Sequence, residues 1–385
     1  MPSSISSSEG PGNGTGRVRQ TAADRPGVAQ PVPVRPIPPQ PWGRILLVAA
    51  VLLALMLGGW EAYWRSFGAA PGFSNGYGLW AMQRRRIDTG EGDATVLLGA
   101  SRVYYDIDLS IWQQLDGHRP IQLAFEGTSP LVYLEDLADD PQFVGRALVG
   151  VAPGLFFSGY GFQDGGVKYL RKESPSQRIG QWLSMHLIEP YWAFDDPDFA
   201  LPTVLARQPW PARPGRRWFS DVRRLGTHEA DRNAHLWDKV ANDPEYRQLS
   251  RGIWHEGFVP AKDDPSAEVR RKGAMKQIQR FAAAVAKLQA RGVKVLFVRL
   301  PSDGEYLEHE NRTYPRAQSW DALLAATGAP GIHFEDYPEL QGYYLPEWSH
   351  MTHPEAKRFT AALHGIITSK FWVPEATAHA AAATP

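Results

Sequence analysis

The chain has 385 residues, 43% hydrophobic and 21% charged, a composition that excludes a mostly disordered or collagen-like polymer and leaves material for a sizeable core. Its 41 basic and 41 acidic residues cancel, removing the net positive field that nucleic-acid binding exploits, so no nucleic-acid partner is expected. Cysteine is absent, which excludes disulfides, thiolate metal sites, iron–sulfur clusters and a cysteine nucleophile, and leaves covalent chemistry to oxygen or nitrogen.

Residues 1–43 hold nine of the 32 prolines among Ser, Gly and polar residues. They lack the apolar surface needed to offset the entropy of ordering, which predicts a disordered tail. From Ile45 to Trp60 runs ILLVAAVLLALMLGGW, sixteen residues without a charge, flanked by Trp42, Trp60, Tyr63 and Trp64 as interfacial aromatics. The run is read as a transmembrane helix over 44–64, in preference to a signal peptide or a buried core helix. More than forty residues precede it, and no small-x-small cleavage site follows Gly59. Arg17, Arg19, Arg25, Arg35 and Arg44 precede it against only Glu9 and Asp24, which places the amino terminus in the cytoplasm and the main domain on the periplasmic or extracellular side of a bacterial-type cytoplasmic membrane, crossed once. Arg84, Arg85 and Arg86, beyond the run, work against that orientation. Residues 65–92 are expected to be a linker.

From about residue 93 the pattern is α/β. Thr95 to Leu98, Ile121 to Ala124, Ala147 to Ala152 and Val293 to Leu300 are short apolar or β-branched runs of the kind that buried parallel strands require. The clearest helix is Ser266 to Arg291, where Met275, Ile278, Phe281, Ala282, Val285 and Leu288 recur at three- and four-residue spacing and Gly292 follows as a helix-ending glycine. The expected fold over 93–370 is a doubly wound, mainly parallel sheet of flavodoxin-like type. It is interrupted at about 159–261, where YWAFDDPDF, RQPWPARPGRRWF and AHLWDKV interleave aromatic, proline and arginine residues. That stretch reads as an irregular helical insertion over the sheet, or more specifically as a substrate-facing cap, since Trp and Arg suit sugar stacking and carboxylate recognition. Residues 371–385 are expected to be a flexible tail. No internal repeat, glycine-rich phosphate loop or HExxH motif is found.

Chemistry is signalled at two distant points. The strand TVLL ends at Gly99 and is followed by Ala100 and Ser101, where a helix begins; this is the crevice in which open α/β sheets bind ligands. A serine there is either a nucleophile or a helix N-cap. Near the carboxyl end stands LPEWSHMTHPEAKRFTAAL, in which Glu347 and His350 lie three residues apart just before a helix. Such a carboxylate fixes the imidazole tautomer and stabilises the imidazolium, leaving the other nitrogen to take a hydroxyl proton. Alternatively the two residues are exposed helix-capping groups.

The strand-Gly-x-Ser start, the FEGTSP stretch and the terminal ExxH before an amphipathic helix together resemble the SGNH/GDSL hydrolase superfamily. They look most like its membrane-anchored members that modify cell-envelope polysaccharides by O-acetylation or related acyl transfer. The resemblance implies Ser101 as nucleophile, Glu347 and His350 as its partners, and the amides of Ser101 and Gly127 as oxyanion donors. Three departures accompany it. Gly-Asp-Ser becomes Gly99-Ala100-Ser101, the family aspartate becomes Glu347, and GVAPGLFF holds no counterpart of the family asparagine, so one oxyanion donor is unassigned.

Among other polar residues, His353 competes with His350 as base and Asp336 with Glu347 as carboxylate. Arg102, Arg299, Ser302 and Arg316 are candidate substrate contacts. The mechanism expected is attack of Ser101 on an acyl ester, with water as acceptor giving an esterase and a sugar hydroxyl giving an O-acyltransferase. It needs no metal or organic cofactor. The expected partners are the bilayer through one helix, a polysaccharide or acyl-ester substrate, and a membrane acyltransferase that supplies the acyl group. The competing expectation is a catalytically silent polysaccharide-binding or scaffolding protein.

Overall fold

The structure is a computed structural model that describes residues 40–207, 224–259 and 265–372. Most of the expected amino-terminal tail, with Arg17, Arg19, Arg25 and Arg35, lies outside the described residues, as do most of RQPWPARPGRRWF and the carboxyl-terminal tail from residue 373. The chain forms two units, Met1–Met56 and Leu57–Pro385.

The apolar run lies in helix α1, Trp42–Phe67. Its 26 residues extend about 39 Å at 1.5 Å each, long and apolar enough to cross a membrane. In the first unit its side chains are exposed, Leu46, Leu55 and Met56 among them.

The second unit is built on a five-stranded parallel sheet. Its strands are β1 (Thr95–Leu98), β2 (Ile121–Gln122), β3 (Arg146–Gly150), β6 (Lys294–Arg299) and β7 (Gly331–His333), in the order β2-β1-β3-β6-β7. Strands β4 (Gly226–His228) and β5 (Ala234–Leu236) form a separate antiparallel hairpin. Both faces of the sheet are covered, which is why the strands read as continuous apolar runs. Val96, Leu98, Ala147, Val149, Val295 and Phe297 enter one core, while Leu97, Leu148, Leu296 and Val298 enter the other. This alternation is the two-residue period of a strand.

The helices follow in chain order. Tyr77–Asp88 is α2, Ser101–Asp106 α3, Leu109–Asp116 α4, Leu131–Asp139 α5 and Pro153–Ser158 α6. Within the insertion come α7 (Gly166–Lys172), α8 (Pro175–Leu187), α9 (Leu201–Arg207), α10 (Asp238–Asn242) and α11 (Pro244–Phe258). The rest are α12 (Ala267–Gln289), α13 (Gly304–Thr313), α14 (Trp320–Thr327) and α15 (His353–Lys370). Helix α12 lies within the bounds expected for the helix ending at Gly292, which takes the left-handed φ of 80°. Its Phe281 stacks on Phe156 of α6 at 3.9 Å, locking it to the first face.

Two expectations are corrected. The segment expected as a linker carries α2, whose Trp80 is fully buried and donates from Nε1 to Leu123 O at 3.1 Å. The insertion, expected to be helical, also contains the β4–β5 hairpin. Arg84 is paired with Asp136 and Asp140, Arg85 with Glu173 and Arg86 with Glu91.

Candidate active site

The strand order reverses direction between β1 and β3, and the crevice beyond the carboxyl ends of these strands is the natural ligand site of such a sheet. Ser101 stands there as the first residue of α3. Gly99 makes the approach possible: a Cβ on it would meet Val103 Cγ2 at 2.4 Å. The absence of that carbon lets α3 fold back directly over the strand end.

The loop before α15 brings His350 to the same point. His350 Nε2 lies 2.8 Å from Ser101 Oγ, and His350 Nδ1 lies 2.9 Å from Glu347 Oε1. With Nδ1–H donating to the carboxylate, Nε2 is left as the acceptor for the serine hydroxyl. Glu347 and His350 are both buried, and the His350 amide also donates to Glu347 Oε1, at 2.6 Å. Between them Trp348 takes a φ of 74°, an uncommon conformation for a bulky residue, held where its carbonyl accepts from the Asp303 amide at 2.8 Å. From the insertion, Trp254 Nε1 donates to Glu347 Oε2. Tyr105 sets its ring edge-on to the imidazole at 5.1 Å.

The electrostatics favour an ion pair held out of water. Burial disfavours the imidazolium, but the Glu347 carboxylate outweighs it, so the His350 pKa lies above the ordinary histidine value. Burial alone would raise Glu347; the charge of His350 and the hydrogen bonds from His350 and Trp254 hold it below the usual carboxylate range. Behind the imidazole, Asp106 accepts the Met351 amide at 2.9 Å, and burial pushes its pKa up to about 7.

The cleft over Ser101 holds about 600 Å³, within the range of small-molecule sites. Glu126 and Gly127 line it because the chain after β2 keeps pairing with β1: the amides of Leu123 and Phe125 donate to Leu97 O and Gly99 O. Gly127 then turns with a φ of 60°, which glycine adopts without strain. Burial pushes the Glu126 pKa up to about 7. Asn75, from the residues before α2, also lines the cleft. Its Oδ1 accepts from Arg232 Nη1 at 2.6 Å and its Nδ2 donates to Glu126 Oε2 at 3.3 Å. Arg232 sits in the β4–β5 turn with a φ of 67° and reaches inward, donating as well to Gln122 O and Ala124 O and stacking on Tyr104 and Phe125. The insertion supplies much of the remaining wall, including Tyr160, Phe162, Asp196, Asp198, Arg224 and Trp254.

Ser101, His350, Glu347 and Gly127 are brought together; the expected substrate contacts are not. Arg102, Arg299 and Ser302 are 2%, 3% and 4% exposed. All three engage the buried Glu310 carboxylate of α13, Arg299 Nη2 and Ser302 Oγ each at 2.7 Å. Their expected role is corrected to that of a buried charge network, because a guanidinium taken out of water needs a permanent counter-charge. Arg316 binds Asp336 through two bonds of 2.7 and 2.6 Å at the surface; neither lines the cleft. His353 is engaged elsewhere, bonded to Asp108 at 3.2 Å and stacked on His235 at 3.9 Å.

Asn75, Glu126, Arg232 and Trp254 were not singled out by the sequence. Asn75 fell in the expected linker, and the other three acquire meaning only through contacts with residues far along the chain. Among the described residues no group of three or more His, Asp or Glu side chains converges as metal ligands do. Comparison with protein-family models, curated proteins and solved structures finds no match to this chain.

Proposed function

We propose that this chain is a membrane-anchored serine esterase or O-acyltransferase of SGNH type, acting on acyl esters of an exported or cell-envelope polysaccharide. The observation that carries the reading is the continuous relay from Glu347 through His350 to Ser101, with contacts of 2.9 and 2.8 Å at the carboxyl edge of the sheet.

His350 Nε2 takes the Ser101 hydroxyl proton as Oγ attacks the acyl carbonyl. As the tetrahedral intermediate collapses, the ester C–O bond breaks, His350 returns the proton to the leaving oxygen, and an acyl-serine forms. An acceptor hydroxyl then gives its proton to His350 and attacks the acyl carbon; as this second tetrahedral intermediate collapses, the acyl C–Oγ bond breaks and His350 returns the proton to Ser101 Oγ. Water as acceptor completes hydrolysis; a sugar hydroxyl completes transfer. The oxyanion is held by the backbone amides of Ser101 and Gly127. The side-chain amide of Asn75 joins them, filling the place for which GVAPGLFF offers no asparagine. Aromatic walls at Tyr160, Phe162 and Trp254 suit a carbohydrate acceptor.

In this reading α1 is a single-pass anchor in a bacterial-type cytoplasmic membrane. The arginines before it keep the amino terminus inside and the α/β unit on the periplasmic or extracellular face. The enzyme would there meet a polysaccharide leaving the cell and a membrane acyltransferase handing over the acyl group.

The test is labelling of the full chain in detergent with a fluorophosphonate probe, beside Ser101→Ala and His350→Ala. Labelling that needs both residues, together with release of acyl groups from a model ester, is the expected result. A folded wild-type chain that neither labels nor turns over an ester would return the protein to the silent polysaccharide-binding reading.

A further inference from the structure

Helix α8 has its amphipathicity turned outward. Toward the body of the domain it presents Gln181, Ser184 and Met185, with Gln181 resting against Gly78 of α2. Toward solvent it presents Ile179, Trp182, Leu183 and Leu187, spaced as one helical stripe, and Ile188 and Tyr191 prolong it beyond the helix. Trp182 is 53% and Leu187 60% exposed. A surface helix of a globular domain normally buries such a stripe, and a contiguous exposed apolar patch marks a surface that meets something else.

What it meets is indicated by where the chain goes next. The residues after α8 are fastened to the end of α1. Glu61 accepts the backbone amides of Ala193 and Phe194 at 3.0 and 3.1 Å, Arg65 Nη2 donates to Tyr191 O at 3.0 Å, and Trp64 stacks on Phe199 at 4.7 Å. Glu61 is the first charged residue after the apolar run, and Arg65 follows about 6 Å further along the helix. The outward stripe is thus tied to the part of α1 that directly leaves the run. Trp182, Tyr191 and Trp192, beside Trp60 and Tyr63, are the aromatics that gather at a membrane–water interface.

We propose that α8 lies in the interfacial layer of the bilayer that α1 enters, with Trp182, Leu183 and Leu187 seated among the upper acyl chains. The proposal rests on the reading of α1 as a membrane anchor. Asp196 and Asp198, a few residues beyond Tyr191, are part of the cleft wall, so substrate is met at the membrane surface.

The absence of cysteine makes the test direct. Leu183→Cys and Leu187→Cys, each as the sole cysteine in the full chain, are labelled with an environment-sensitive fluorophore and reconstituted into phosphatidylcholine–phosphatidylglycerol vesicles. Gln289→Cys, at the opposite end of the sheet, is the aqueous control, Leu53→Cys reports on the anchor, and a far-UV circular dichroism spectrum matching wild type reports folding. A doxyl group near the headgroup end of the acyl chain is expected to quench positions 183 and 187 at least about twofold more than 289, as a helix seated about 5–10 Å into the boundary requires. Quenching at 183 and 187 equal to that at 289 overturns the proposal. That holds whether the labels are in water or covered by a second copy or another protein. Failure of a doxyl group at the methyl end of the acyl chain to quench Leu53→Cys overturns the anchor reading separately.

Discussion

Glu347 holds His350 through a single oxygen. Oε1 accepts both the His350 backbone amide, at 2.6 Å, and the ring Nδ1–H, at 2.9 Å, while Oε2 is left for Trp254. The carboxylate thus folds back over its own loop, across the turn that Trp348 makes with its φ of 74°.

Glu347→Gln keeps the shape and removes the charge. Loss of the tautomer lock and of imidazolium stabilisation is expected to lower kcat by about 10⁴-fold, the scale for the orienting carboxylate of a serine triad. His350 must be neutral to act as base, and Glu347 holds its pKa above the ordinary value. Removing the charge therefore moves the acid limb of the kcat/KM profile to lower pH. A limb that stays in place would show that another group sets it.

Trp254→Phe keeps an aromatic ring near His350 and deletes the donor to Glu347, together with part of the indole surface that lines the cleft. A hydrogen bond to a charged group is worth about 1.5–3 kcal/mol, so kcat/KM should fall by about tenfold or more. The Glu347 pKa rises once one of the groups holding it down is gone. The loss should consequently deepen as pH falls, which a pH series on the variant and wild type resolves.

Much of this was legible locally. Thr95–Leu98 was read to the residue because both faces of β1 are buried, and Ser101, Glu347 and His350 stand at a strand end and a helix start that short motifs mark. Depth was less legible. Arg102 and Ser302 lie on the expected side of the sheet, but only Glu310, on a separate helix, decides that they point into the protein. Likewise YGLWAMQRRRID reads as polar, because Arg84 is made a core residue by Asp136 and Asp140, more than fifty positions away.

The Glu310 cluster yields a stability prediction. Glu310→Gln leaves Arg102 and Arg299 buried without a counter-charge, which should cost about 3–5 kcal/mol. Chemical denaturation of the second unit, followed by far-UV circular dichroism, should show the fall in midpoint. The residual folded fraction should keep its KM, since none of the three side chains lines the cleft. A stable variant with a raised KM would restore the arginines as substrate contacts.

Asn75→Ala removes the side-chain amide and leaves Arg232 bonded to the β2 extension. If that amide steadies the oxyanion, kcat falls by about 10²–10³-fold with KM little changed, as for other single oxyanion donors. Steady-state kinetics on a soluble acetyl ester separate the two parameters. An unchanged kcat would place the third donor elsewhere in the cleft wall.

Asp106 gives the protein a pH-dependent liability. Its pKa is about 7 when folded, against an ordinary value of 3.8. Between these values the native chain binds more protons than the unfolded one. This group's contribution to stability is therefore fully present below about pH 4, declines as pH rises toward 7, and stays lost above it. Asparagine in its place still accepts the Met351 amide but cannot ionise. Denaturation midpoints measured at pH 5 and pH 8 should show Asp106→Asn gaining on wild type at the higher pH. A difference that is the same at both would mean that Asp106 does not change its protonation between pH 5 and pH 8 and is not the group that sets this dependence.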